Sequence, residues 1–248
     1  MNTTKEILGR VFALWGLLVF VITMLPVALM MWIIGLIKEP NRTEVFRKIS
    51  KGWMRIFFVL SGCRLKIKGK DNFIKSENYI VVCNHNSFMD VPLSTPFIPG
   101  ANKTIAKVEM SRMPIFGLIY KRGSILVDRK DKTSRADSFK KMKEVLGMGM
   151  HMCIYPEGTR NKTSEPLKDF HDGAFRLAID TKKALLPALM FNTKKVLPIG
   201  KAFYFWPSKM ELHFLPPVAI TDLDTVDELK RKLFALMTSY YTTFYKPS

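Results

Sequence analysis

The chain is short of cysteine, of histidine and of acid. Only three cysteines, Cys63, Cys83 and Cys153, stand in 248 residues. They form no even, regularly spaced set, so a disulfide framework is excluded and reduced thiols in a reducing compartment are expected. No CxxC pair and no His/Cys cluster has the ligand spacing of a zinc site. The 21 acidic residues face 39 lysines and arginines, a formal charge of +18. Such an excess calls for anionic partners: nucleic acid, acidic lipid or a phosphorylated substrate. Zinc-finger spacing, a helix-turn-helix signature and an RNP-like aromatic motif are all missing, which argues against nucleic acid. With 48% hydrophobic residues the chain can bury a sizeable core, so it is not disordered.

Charge is also missing from one long stretch. Residues 11–37, VFALWGLLVFVITMLPVALMMWIIGLI, carry none. As a helix this run would be roughly 40 Å long, against a hydrocarbon core of ~30 Å. Pro26 near its middle predicts a kink. One tilted span fits, and so does a bent pair of half-helices dipping into one leaflet. The run is too long for a secretory signal and lacks a small-residue cleavage site. Residues 38–70 then hold ten lysines and arginines against Glu39 and Glu44, and positive flanks stay cytoplasmic. Within them Val45, Phe46, Ile49, Trp53, Ile56, Phe57 and Leu60 recur at helical spacing, with Lys48, Lys51 and Arg55 between. That is the pattern of a basic amphipathic helix at an anionic membrane surface. It also suits a helix that covers a core with a solvated outer face.

From residue 64 onward short β-type runs alternate with helical ones. Strands are expected at 79–84, 103–107, 124–127, 152–155, 186–191 and 211–214, and helices at 90–98, 109–121, 134–147 and 172–183. A last helix starts at Thr225, where Thr225-x-x-Glu228 reads as a capping box, and runs to about residue 245. The alternation predicts an α/β fold, a mixed sheet covered by helices. One boundary is expected near residues 62–70. It divides a membrane-anchoring helical segment, 1–63, from an α/β domain, 64–248.

Four clusters fall at ends of expected strands, where ligand sites gather in open α/β sheets. The first is His85 and Asp90 in VVCNHNSFMD. A histidine with an ordinary pKa near ~6.5 is a natural general base. A carboxylate on its other ring N–H would fix the tautomer and stabilise the imidazolium. A capping aspartate and a hydrogen-bonded core histidine fit the same residues. In GSILVDR an apolar strand ends in Asp128 and Arg129. That arginine suits a phosphate held by paired hydrogen bonds, or a surface ion pair. In YPEGTR, Gly158 permits a tight turn, Arg160 adds charge and Thr159 a hydroxyl: an anion cradle, or an ordinary strand-to-loop turn. The fourth, Pro187, opens a late apolar strand.

Taken in order, NHNSFMD, GSILVDR, YPEGTR and LLPALMFN resemble the four blocks of the PlsC-type glycerolipid acyltransferase family, especially its 1-acylglycerol-3-phosphate acyltransferases. The segment KVEMSRMPIFG at 107–117 is similar to the family's linking segment, and the likeness covers about residues 64–220. Asn86 stands where glutamine is more usual, Leu126 replaces a common aromatic and Ala188 a common branched residue. These departures leave the class intact and loosen the choice of acceptor. VLPIG at 196–200 is a second candidate for the proline block.

The resemblance implies a glycerol-3-phosphate acyltransferase-like fold. It also implies transfer of a fatty acyl group from a thioester to the free hydroxyl of 1-acyl-sn-glycerol-3-phosphate, giving phosphatidic acid. By position, His85 would be the base and Asp90 its orienting carboxylate. Arg129 and Arg160 would bind phosphate, and Lys107, Glu157, Gly158 and Thr159 would complete the substrate site. No acyl-enzyme is implied, so Cys83 and Ser87 need not be nucleophiles. No metal or cofactor is expected; acyl-CoA or acyl-carrier protein is the donor. The expected partners are a lysophospholipid, the thioester donor and an anionic membrane, with the active site on the cytoplasmic side. A different lysolipid acceptor, or a non-catalytic lipid-binding protein on the same scaffold, are the alternatives.

Overall fold

The computed structural model describes residues 3–245. At its centre lie three strands buried at every position: β2 (Ile80–Cys83), β5 (His151–Ile154) and β6 (Leu185–Phe191). Their unbroken apolar runs reflect a sheet covered on both faces. β1 (Arg64–Lys68), β3 (Asn102–Lys107), β4 (Ser124–Val127) and β7 (Lys209–Phe214) complete seven strands in the order β1-β7-β6-β2-β5-β3-β4. Every neighbouring pair is parallel except β6 and β7. The sheet is therefore mixed, as expected. β1 was not expected: it is an edge strand in which three basic residues alternate with Leu65 and Ile67, a weak apolar signal.

Two apolar clusters cover the two faces. One includes Ile80, Met152, Leu185 and residues of α5 (Lys132–Gly147), α6 (Gly173–Thr181) and α8 (Val226–Phe244). Helix α5 is capped by Asp131, whose carboxylate accepts the Thr133 and Ser134 N–H groups. Helix α8 opens on the Thr225–Glu228 capping box. The other cluster joins Val81, Cys83 and Leu186 to α1 (Thr3–Ile33) and α2 (Asn41–Leu60), so one core crosses the expected boundary at residue 64. The remaining helices are short: α3 (Asp90–Ser94), α4 (Phe116–Gly123) and α7 (Thr193–Val196).

The helix expected over 109–121 is divided. A 3-10 helix at Val108–Arg112 precedes α4, and Pro114 lies between them. The Phe116 N–H donates to the Pro114 carbonyl at 2.5 Å, closing a γ-turn with Ile115 at φ 60°, ψ −57°. That geometry is rare and strained, most of all for a β-branched residue. By contrast, Pro26 does not interrupt α1, which stays helical on both sides of it.

Helix α1 meets the rest of the molecule along a stripe that is small at its start, Gly9, Ala13 and Gly16, and larger toward its end, with Met24 and Met31. Gly9 is required there: a Cβ would lie 2.1 Å from Cε2 of Tyr204. Two indole N–H groups pin the helix pair, Trp53 to Thr23 Oγ1 at 2.9 Å and Trp15 to the Leu60 carbonyl at 2.8 Å. The opposite face of α1 is bare, with Leu14, Leu29 and Trp32 more than 60% exposed. With its 3-10 extension, Thr3–Leu36, it is long and apolar enough to cross a membrane by length and composition. Helix α2 covers the core with one face and leaves apolar side chains bare elsewhere. Phe46, Trp53 and Phe57 are buried in the core, while Ile56, Val59 and Leu60 are exposed.

Candidate active site

β2 ends at Cys83, and the chain turns through residues 84–89 into α3. Asn84 anchors the turn to β6: its Nδ2 donates to the Met190 carbonyl at 3.1 Å, and its Oδ1 accepts the Met190 N–H at 2.7 Å. Asp90, fully buried, opens α3. Its Oδ2 accepts the Nδ1–H of His85 at 2.9 Å, the Ser87 N–H at 2.7 Å and the Asn86 N–H. The sequence left capping and orienting as alternatives for this aspartate. The structure shows this oxygen orienting His85 and tying down the loop N–H groups that precede α3, while the helix start itself carries no side-chain cap.

With Nδ1–H committed to Asp90, the lone pair of the neutral ring lies on Nε2. The His85 side chain is 19% exposed. Its ring packs against Tyr155, centroids 4.6 Å apart, and the Tyr155 hydroxyl meets Ser94 Oγ at 2.6 Å. A partly accessible imidazole nitrogen, backed by an anion inaccessible to water, can take a proton and hold the resulting charge.

The YPEGTR turn follows β5, next to β2 in the sheet. Glu157 is fully buried, with Oε1 accepting the His85 N–H at 2.6 Å and Oε2 the Lys168 N–H at 3.0 Å. Burial raises its carboxyl to about 7, against the two N–H bonds and with some help from Asp90. The sequence reading placed Glu157 on the substrate; in the structure backbone N–H groups occupy both its oxygens, and it braces the histidine loop. Gly158 has φ +67°, and a Cβ there would lie 2.7 Å from His171 Cδ2. Its carbonyl accepts from Nη1 of Arg129, so that arginine ties β4's end to the turn. Burial lowers the Arg129 pKa, and Glu109 opposes the shift. Thr159 is exposed, and its hydroxyl meets the Lys168 ammonium at 3.0 Å. Asn161 N–H donates to the His85 carbonyl at 2.7 Å, which sets Arg160 one residue from the histidine loop. The Arg160 guanidinium lies over the Phe88 ring at 3.5 Å.

Beside these residues lies a cavity of about 890 Å³, within the ~300–1,000 Å³ common for small-molecule sites. Its wall is largely apolar, built from Phe20, Trp53, Phe57, Phe116 and Phe205, and it carries Phe88, Arg160 and Lys162. Of the expected site residues Arg160 alone lines it; Phe88 and Met89 bring the histidine loop to its wall, while His85, Asp90, Arg129, Glu157, Gly158, Thr159 and Lys107, exposed at the end of β3, do not line it. Two lysines escaped the sequence reading. Lys162 lines the cavity, and Lys194 lies close enough to Glu157 and Asp90 that both favour its charge, although burial lowers its pKa overall. Lys194 follows the carboxyl end of β6, the position that should have drawn notice. Among the described residues no group of three His, Cys, Asp or Glu could hold a metal ion, and all three cysteines are free and buried.

The fold aligns with the crystal structure of the 1-acyl-sn-glycerophosphate (LPA) acyltransferase PlsC from Thermotoga maritima. The TM-score is 0.81 at 19% identity, over 98% of this chain and 100% of that one. In sequence the chain is 32% identical over 158 residues to the 1-acyl-sn-glycerol-3-phosphate acyltransferase of Helicobacter pylori, covering 63% of this chain and 65% of that protein. It is 31% identical over 167 residues to the chloroplastic 1-acyl-sn-glycerol-3-phosphate acyltransferase LPAT1 of Arabidopsis thaliana, covering 66% and 46%. The chain thus spans about half to two thirds of the length of these curated relatives. Residues 64–191, which include His85, Asp90, Arg129 and Glu157 to Arg160, match the Acyltransferase family model. Over more than half its length, and with that site inside the matched region, the chain belongs to the Acyltransferase family.

Proposed function

We propose that the protein is an O-acyltransferase that acts on 1-acyl-sn-glycerol-3-phosphate at a membrane surface. The observation that carries this reading is the His85–Asp90 pair, 2.9 Å apart, beside an apolar cavity with Arg160 and Lys162 in its wall. Nε2 of His85 removes the proton of the acceptor's free hydroxyl as its oxygen attacks the thioester carbonyl. Asp90 holds the imidazolium that forms. The tetrahedral intermediate collapses, the C–S bond breaks, and the thiolate leaves with the proton from Nε2. The products are phosphatidic acid and a free thiol. The donor is acyl-CoA or acyl-carrier protein, and no cofactor is needed. Arg160, Lys162 and Lys194 supply the positive field for the phosphate. The names of the relatives favour lysophosphatidate over other lysolipids.

The first 63 residues serve as the membrane anchor, lying in one leaflet. Helix α1 is tied to the α/β body at both ends. Near its start Glu6 pairs with Lys201, and the Gly9 carbonyl accepts the Phe205 N–H at 3.0 Å. At its end Met31 and Ile34 are buried, and Glu39 just beyond pairs with Lys103 at 2.9 Å. A helix crossing the bilayer would carry these contacts to opposite sides. Burial pushes Glu39 up, but Lys103, Thr43 and Arg42 outweigh it and hold the carboxyl at about 2, so this tether stays charged. The bare apolar faces of α1 and α2 enter lipid, and the basic surface faces anionic headgroups on the cytoplasmic side.

The test is an assay of the purified full chain in anionic vesicles. Lysophosphatidate, monoacylglycerol and zwitterionic lysolipids are each offered with acyl-CoA or acyl-carrier protein. Transfer to lysophosphatidate that depends on His85 is expected. Labelled lysolipid bound without product would instead favour a lipid-binding protein, and preference for another acceptor would move the substrate.

A further inference from the structure

We infer that Phe88 is a positioning residue: its ring is the platform that holds the Arg160 guanidinium at the cavity wall for the acceptor's phosphate. The inference rests on the acyltransferase reading above. The arginines of the site differ in their ties. Arg129 is committed to the Gly158 carbonyl. Arg160 has no hydrogen-bond or ion-pair partner among the described residues, and the face of Phe88, 3.5 Å from its central carbon, is its one specific contact. Phe88 is itself 64% exposed, yet it sits in the histidine loop between two fully buried residues, Ser87 and Asp90. Burial in the core therefore does not explain an aromatic here. Both side chains line the cavity. A guanidinium held over a ring face through its central carbon leaves its N–H donors free for phosphate oxygens. Because Phe88 lies midway between His85 and Asp90, the platform also fixes the phosphate site relative to the base.

The experiment measures steady-state kinetics of the full chain in vesicles, varying lysophosphatidate and acyl-CoA separately. F88A is expected to raise KM for lysophosphatidate about three- to tenfold, with kcat and KM for acyl-CoA within twofold of wild type. F88W should restore the wild-type KM. F88L, apolar but without a ring face, should not. In the R160A background F88A should add nothing, since its effect passes through the arginine. An unchanged acceptor KM in F88A, full rescue by leucine, or additive losses in the double variant would each overturn the role of Phe88 while leaving the activity standing. A wild-type protein that transfers no acyl group to lysophosphatidate would overturn the acyltransferase reading itself, and the platform with it.

Discussion

Two histidine–carboxylate pairs lie two strands apart in the sheet, and both measure 2.9 Å. His85 meets Asp90 after β2, and His213 meets Glu211 on β7. The distances are equal; the spare valences are not. His85 gives Nδ1 to its carboxylate and leaves Nε2 without a partner among the described residues, on a side chain 19% exposed. His213 gives Nε2 to Glu211, and its Nδ1 accepts the Tyr240 hydroxyl at 3.2 Å, on a side chain 3% exposed. Glu211 is shared as well, with Lys209 at 3.1 Å and Lys68 at 3.8 Å. Asp90 serves backbone N–H groups and His85 alone. A close imidazole–carboxylate pair is thus not a catalytic signature by itself. What sets His85 apart is a ring nitrogen left over on a partly exposed side chain.

The largest expected effect breaks the free nitrogen. His85→Ala should lower acyl transfer about 10³-fold, in the range of lost general-base catalysis, while circular dichroism and vesicle binding stay unchanged. A variant that keeps a tenth of the activity would remove the basis of the comparison. Asp90→Asn comes next. The amide oxygen can still accept from the loop N–H groups, but no anion remains to hold the imidazolium. A loss of about 10²-fold in kcat is expected, with KM for both substrates little changed. Loss confined to KM would mean that Asp90 shapes binding rather than the base.

Two buried groups at opposite ends of β5, His151 at its start and Glu157 beyond its end, then give the fold opposed responses to pH. Burial lowers His151 to about 4, and its Nδ1 accepts the Tyr79 N–H at 3.0 Å, a bond only the neutral ring makes. Its contribution to stability is complete above the unfolded pKa of about 6.5 and is lost as pH falls through 4. Glu157, raised to about 7, runs the other way: its contribution is complete below about 4.5 and is lost as pH rises through 7. Each displacement is worth about 3 kcal/mol, and the windows overlap, so between pH 4.5 and 6.5 the two slopes oppose. Glu157→Gln should be less stable overall, since its NH₂ cannot accept an N–H. It should also lose the falling branch. Unfolding free energies from denaturant titrations in detergent should then climb by about 3 kcal/mol between pH 4 and 6.5. A wild-type-like pH profile would show that Glu157 does not titrate in this range.

Much of this is legible in the sequence. The strands expected at 79–84 and 186–191 announced themselves because β2 and β6 are buried on both sheet faces and their runs are continuously apolar. The capping box at Thr225 is a local rule and held locally. His85 and Asp90 were readable because their contact spans one turn of chain. What failed to show was set by tertiary contact. β1 has a basic, alternating sequence and is a strand because β7 runs beside it. The helix over 109–121 is divided at Pro114, and the sequence reading passed over that proline. Glu157 looks like a ligand in its motif, and only the arrival of the His85 and Lys168 N–H groups from distant segments makes it a brace. The cation platform of Phe88 could not be seen, because residues 88 and 160 meet only when β2 and β5 pair.

The smallest expected effect sharpens the comparison from the other side. His213→Ala removes an imidazole that packs at 4.9 Å from Phe191 and bonds both Glu211 and Tyr240. Glu211 keeps Lys209 and Lys68, so no isolated buried charge is left. A loss of roughly 1–3 kcal/mol in unfolding free energy is therefore expected, with kcat/KM per folded molecule within twofold of wild type. Burial already lowers the His213 pKa against the pull of Glu211, so the wild-type ring is held as a neutral strut between its neighbours. If His213→Ala lost activity while staying folded, a saturated pair would be serving the chemistry from two strands away, and a free ring nitrogen would no longer be what separates the two regions.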